Sequence, residues 1–232
     1  MRQVCRIAMC VMVMLEAATF LSAQTNHAAP SAVTTKDHKM TMITAPSRAN
    51  TPYVDATAGL KTIFSNLAVA YPKGLYWCCE GATISGPDSP PFNIEWWHAA
   101  AFTPTAAATA ERVIVSIGYL SGNDATVILS LNADNGGIPG AALEQWTISK
   151  LGESGTCCTV QVRNSSGIAL SAGQQYWIVV STPANSDVNA FWNLADNDQI
   201  DLFLNSGYTN QNSNGWVSSM TNQNVVFGVF GQ

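Results

Sequence analysis

Apolar and polar residues alternate along several short segments of the chain, as in strands that bury one face. Residues 112–120, for example, place Val113, Val115 and Ile117 on one face, and residues 126–132 alternate in the same way. The alanines of residues 95–102 would also permit a helix, but the segment is interpreted as a strand. Besides residues 112–120 and 126–132, short runs of β-forming residues predict strands at residues 95–102, 143–148, 175–181, 200–204 and 225–230.

Clusters of Gly, Asn, Asp, Ser and Pro separate these strands. Residues 121–124 (SGND) predict a hairpin turn between the strands on either side of them. Residues 132–140 contain three glycines and one proline, so they end the second of these strands. No segment of ten or more residues repeats with a helical period. The sequence therefore predicts an all-β fold, an antiparallel two-sheet β-sandwich.

The first 24 residues have the layout of a secretory signal peptide. Two arginines precede an apolar run at residues 7–15, and small residues lead to a cleavage site near Ala23 or Gln24. That run is shorter than the roughly 20 apolar residues that cross a bilayer, so no membrane span is expected. The protein is accordingly expected to be secreted or periplasmic.

The residues after the signal peptide differ in composition from the rest. Residues 25–58 are rich in Thr, Ala, Ser and Pro and predict a flexible leader. Weak alternation around residues 40–43 leaves an ordered first strand as the alternative. Residues 59–232 then form the sandwich domain.

Charge is sparse and mostly negative. Only 11% of the residues are charged, and 15 acids oppose 10 bases for a net charge of −5. Such a surface repels phosphate backbones, so nucleic acid is not an expected partner.

Several short segments occur in one order between residues 60 and 232. They are TIFSNL at 62–67, AFTP at 101–104, the turn at 134–140, GTCC at 155–158, AGQQYW at 172–177 and FGVFG at 227–231. Together they resemble the choice-of-anchor domain proteins, an exported bacterial family of unknown function, and are most similar to its R type. The resemblance implies a jelly-roll-like sandwich outside the cell, and it brings no catalytic residues.

Two Cys-Cys dipeptides are the only cysteines outside the signal peptide. Paired thiols of an exported protein are expected to be oxidised. Bonds between the two dipeptides and a vicinal bond within each are both open, and free thiols or a metal site are the remaining alternatives. A vicinal bond joins Cα atoms closer than ordinary disulfides prefer. The residues are Cys78, Cys79, Cys157 and Cys158.

Metal and catalytic chemistry have weak signals. Asp196, Asp198 and Asp201 could supply oxygen ligands to a structural Ca²⁺ ion, but a solvated loop whose carboxylates cap their own turns is favoured. His98 is the single histidine of the predicted domain, and the acids show no paired arrangement. Catalysis and a required cofactor are therefore not expected, which disfavours a hydrolase.

Tryptophan and tyrosine residues give the strongest functional signal. Trp192, Tyr208 and Trp216 lie in or beside segments rich in Asn, Ser and Gly, with Asn193 next to the first of them. An indole can stack on the apolar face of a sugar ring while neighbouring amides bind its hydroxyl groups. The alternative is that these rings cap the ends of the sandwich. Tryptophans within predicted strands, Trp97 and Trp177 among them, are assigned to the core.

The leading hypothesis is a secreted, non-catalytic binding module for carbohydrate or cell-surface glycans. A structural or adhesive envelope protein that self-associates is the alternative, because low charge and many amides also suit packed extracellular assemblies. Extracellular or envelope proteins would then be its partners.

Overall fold

The computed structural model describes residues 41–44, 59–67, 76–91, 93–153, 158–195, 208–212, 215–218 and 224–232. Within these ranges the chain is all-β, contains no helix and forms two antiparallel sheets, which confirms the predicted β-sandwich. Its strands are β1 (Thr41–Thr44), β2 (Lys61–Ser65), β3 (Tyr76–Ser85), β4 (Trp97–Phe102), β5 (Ala108–Ser121), β6 (Val127–Asp134), β7 (Pro139–Ile148), β8 (Cys158–Leu170), β9 (Tyr176–Ser181), β10 (Asn189–Ala195), β11 (Tyr208–Asn212), β12 (Gly215–Ser218) and β13 (Phe227–Gly231).

The long strand β5 organises the seven-stranded sheet, whose main order is β1-β8-β5-β10-β3. One edge of β5 pairs with β8. Along the other edge, β13 pairs with the first half of β5 and β10 pairs with the second half, so β13 and β10 lie end to end. Strand β2 extends the sheet beyond β13. The six-stranded sheet has the order β12-β11-β4-β9-β6-β7.

The hydrophobic core lies between the two sheets, where the alternating apolar residues of both meet. Aromatic rings contact one another at its centre: the ring centroids of Phe64 and Phe227 lie 4.7 Å apart, and those of Phe102 and Phe227 lie 6.1 Å apart. The core also buries aliphatic residues from both sheets, including Ile84, Val113, Val115, Ile117, Leu129, Leu131, Ile178 and Val180.

The predicted hairpin between β5 and β6 is wrong. Strand β5 pairs with β8, β10 and β13, whereas β6 pairs with β7 and β9 in the other sheet. Residues 121–124 therefore carry the chain from one sheet to the other, and the alternation in both strands reflects one shared core. The turn between β6 and β7 does close a hairpin, because Asp134 pairs with Pro139. Gly136 and Gly137 adopt positive φ angles, in the left-handed region, within this turn.

Most other predicted strands agree with the structure. The segment at residues 95–102 forms β4 rather than a helix, and the alternative of a strand near residues 40–43 is realised as β1. The strand predicted at 200–204, the signal peptide and the rest of the leader lie outside the described residues. In the part of the chain that is described, no helix is long and apolar enough to cross a membrane.

Candidate functional site

The outward face of the six-stranded sheet carries an apolar cluster. On β4, Ala100 and Phe102 point into the core, so alternation points Trp97, Ala99 and Ala101 outward. Strand β9 repeats this arrangement with two outward residues, and the indole of β12 packs against them. We call this surface the tryptophan face; it consists of Trp97, Ala99, Ala101, Trp177, Val179 and Trp216.

The strand register explains how three indoles fit on this face. Ala101 pairs with Trp177, and Ala99 pairs with Val179. Because both alanines are small, the larger neighbouring side chains can extend over them, and the alanines are completely or almost completely buried. The backbone of Gln211 lies between Trp97 and Trp216, which flank it on β4 and β12.

Hydrogen bonds hold two of the three indoles. The Nε1 atom of Trp97 donates to the Thr182 hydroxyl at 3.2 Å, and Nε1 of Trp177 donates to the Asp134 carboxylate at 2.7 Å. These indoles are only 7% and 3% exposed. Trp216 is partly exposed, so it is the indole of this face that solvent reaches most readily.

Asp134 places a negative charge beside the tryptophan face. Besides Trp177, its carboxylate accepts hydrogen bonds from the Gln175 side chain at 2.8 Å and from the Gly137 backbone at 3.1 Å. Desolvation raises the pKa of Asp134, but these hydrogen bonds outweigh that effect and hold the pKa below its ordinary value. The carboxylate is therefore ionised at neutral pH, next to the most deeply buried indole of the face.

The structure places Trp192 and Asn193 inside the protein, which corrects their prediction as ligand-binding loop residues. Both belong to β10, and their side chains are 0% and 2% exposed. Trp192 donates from Nε1 to the carbonyl of Val226 at 2.9 Å, and Asn193 accepts from the Ser116 hydroxyl at 2.9 Å. Neither side chain can contact a ligand that approaches from solvent.

The remaining predicted residues have different outcomes. Trp216 lies on the tryptophan face. The backbone of Tyr208 pairs with that of Ala100, whose side chain belongs to the hydrophobic core. Cys78 and Cys79 belong to β3, and Cys158 begins β8. Asp196, Asp198, Asp201 and Cys157 lie outside the described residues. Among the residues that are described, no group of three or more His, Cys, Asp and Glu side chains could hold a metal ion.

His98 lies on the core side of β4 and is 5% exposed. Its Nε2 atom lies 2.8 Å from the carbonyl oxygen of Thr83, which requires that Nε2 carry the proton and donate it. Burial lowers the pKa of His98 to about 4, although the bond to Thr83 acts in the opposite direction. The imidazole is therefore neutral at neutral pH and serves as a buried strand residue.

Sequence reasoning missed the outward positions of Trp97 and Trp177. The available signal was the alternation itself: Phe102 at the end of β4 belongs to the core, so Trp97 belongs to the opposite face. No protein-family model matches the chain, and no curated protein matches it significantly.

Proposed function

We propose that the chain is an exported, non-catalytic binding module and that its ligand is a neutral glycan. The observation that carries this proposal is the partly exposed indole of Trp216, which rests on the tryptophan face at the β11–β12 edge of the sheet. An exposed aromatic ring on a supported surface loses little conformational freedom when it binds a ligand.

The chemistry of this edge suits a sugar. A sugar ring has an apolar face of C–H groups, which can stack on an indole, and a rim of hydroxyl groups. Trp216 supplies the aromatic surface, and the strand next to it has the sequence YTNQN, which is rich in hydroxyl and amide groups. Aromatic side chains with polar neighbours are also the groups that dominate binding energy at recognition surfaces.

Charge favours a neutral ligand over an anionic one. The described members of the tryptophan face include no basic residue, and the ionised carboxylate of Asp134 lies beside it. The whole chain carries a net charge of −5. Both features repel uronate-rich or sulfated polysaccharides.

Export and family membership are parts of the same proposal. The signal-peptide layout of residues 1–24 supports export, and the resemblance of several segments to choice-of-anchor proteins supports an extracellular role. The strand order supports a jelly-roll classification: from β3 to β10, each connection except β6–β7 passes from one sheet to the other.

Replacing Trp216 by alanine is expected to weaken glycan binding about tenfold or more. A binding hot spot contributes about 2 kcal/mol or more, and about 1.4 kcal/mol corresponds to tenfold in affinity. Affinity electrophoresis of the mature protein in gels containing neutral glucans, xylans or mannans would measure the change. Trp216→Phe should retain part of the binding, because it keeps an aromatic face.

Leu143→Ala is the matched control. Leu143 lies on β7 at the opposite edge of the same sheet and is 43% exposed, so its truncation should leave binding unchanged. Equal retardation of the wild type and Trp216→Ala would contradict the proposed site. Absence of retardation by every neutral polysaccharide would contradict the glycan ligand itself.

A further inference from the structure

Strand β3 contains a large bulge that includes Cys78 and Cys79. Asn193 of β10 pairs with Gly81, but Ala195 pairs with Tyr76, so residues 77–80 all lie opposite the single residue Leu194. In a regular strand, adjacent side chains point to opposite faces of the sheet. A bulge interrupts that alternation and bends the strand. The regular-strand geometry that would separate two adjacent thiols therefore does not apply at this position.

Cys158, the described residue of the other Cys-Cys dipeptide, is too far away in the sheet to bond with β3. The path from Cys158 to β3 crosses two intervening strands. Thr159, the residue after Cys158, pairs with Ser116 of β5. The next residue of β5, Ile117, pairs with Trp192 of β10, which in turn pairs with Ala82 of β3. Three strand spacings of about 4.8 Å separate β8 from β3, which gives roughly 14 Å between the two backbones.

The backbones of β8 and β3 are too far apart for a disulfide bond to join them. A disulfide requires Cα atoms within about 7 Å of each other. One peptide step of about 3.8 Å from Cys158 covers only part of this separation and would leave roughly 10 Å to β3. Of the bonding partners that the sequence leaves open to Cys79, only Cys78 is then within reach.

We propose that Cys78 and Cys79 form a vicinal disulfide within the β3 bulge. Two thiols lose two protons and two electrons to form the S–S bond, and an exogenous disulfide accepts the electrons and is reduced to two thiols. The inference rests on the proposed export of the chain, because a reducing cytosol would keep the thiols free. It does not depend on the glycan ligand.

Tryptic mapping separates the two dipeptides cleanly. Cleavage after Lys73, Arg112, Lys150 and Arg163 places Cys78 and Cys79 in peptide 74–112 and the other pair in peptide 151–163. The purified mature protein would be equilibrated with glutathione disulfide, alkylated, digested without reduction and measured by mass spectrometry. We expect peptide 74–112 to appear alone, unalkylated and two hydrogens lighter than the dithiol, and to accept two alkyl groups after reduction.

The double variant C157S/C158S is the matched control. A vicinal bond leaves peptide 74–112 unchanged in this variant, whereas loss of cross-bonds would leave Cys78 and Cys79 alkylated or carrying glutathione. A peptide that joins 74–112 to 151–163, a disulfide-linked dimer, or alkylation or glutathionylation of Cys78 and Cys79 after oxidation would each overturn the proposal. Because the protein is oxidised in vitro, its cellular location does not affect this result; cell fractionation tests export separately.

Discussion

Replacing Trp192 by alanine is expected to lower the free energy of unfolding by about 3–5 kcal/mol, as large-to-small substitutions of buried aromatic residues do. The side chain is fully buried, and its ring packs edge-on against Phe227 with centroids 6.2 Å apart. The substitution leaves a cavity in the core and also removes the hydrogen bond to the Val226 carbonyl. Urea denaturation followed by circular dichroism would measure the loss.

The effect should be large because Trp192 lies where two strands meet end to end. Val226 immediately precedes β13, and its backbone nitrogen donates to the carbonyl of Asn193 on β10. The Asn193 side chain in turn accepts from Ser116 of β5. The indole therefore stabilises the junction between the ends of β13 and β10, which lie one after the other along the same edge of β5.

Trp216→Ala is the comparison for this prediction. Because Trp216 is partly exposed on an edge strand, its truncation should cost clearly less stability than that of Trp192. Trp192→Phe should fall between the two, since it keeps a ring in the core but loses the indole donor. Equal losses for Trp192→Ala and Trp216→Ala would contradict the positions assigned to both residues.

The local sequence pattern located six of the thirteen strands in the described part of the chain and missed others, including the long strands β3 and β8. Apolar and polar residues alternate in β5 and β6, whereas β4, β7, β9 and β13 overlap short runs of β-forming residues. Alternation does not reveal which strand is the neighbour, because two strands that face the same core from opposite sheets have the same pattern as a hairpin. The wrong pairing of β5 with β6 has this cause.

The candidate site was only partly predictable for a related reason. Nearby Asn, Ser and Gly residues predict that Trp192 lies in or beside a loop, although Ala190, Trp192 and Leu194 alternate and all three are buried. The same polar surroundings predict an accessible Trp216, and this residue is partly exposed on the edge strand β12. The support beneath it comes from β4 and β9, which are distant in sequence, and only the sheet register brings Ala99 and Trp177 together with it.

Acid is expected to destabilise the protein through His98. Burial lowers its pKa to about 4 from an ordinary value of 6.5, so below pH 6.5 the unfolded chain binds a proton that the folded protein does not. Wherever the unfolded state binds more protons than the folded state, stability increases as the pH rises and decreases as the pH falls. This contribution is complete above pH 6.5 and is lost as the pH falls towards 4; at about 1.36 kcal/mol per pKa unit, it amounts to about 3 kcal/mol.

His98→Gln isolates this contribution from other titrating groups. The glutamine amide can still donate to Thr83, but it does not titrate, while His27, His38 and every carboxylate are common to both proteins. Denaturant unfolding between pH 7.5 and 4 should show that the wild type loses about 3 kcal/mol more than the variant over this range. Parallel pH profiles would mean that His98 accepts a proton in the folded protein, and they would contradict its burial between the sheets as a neutral residue.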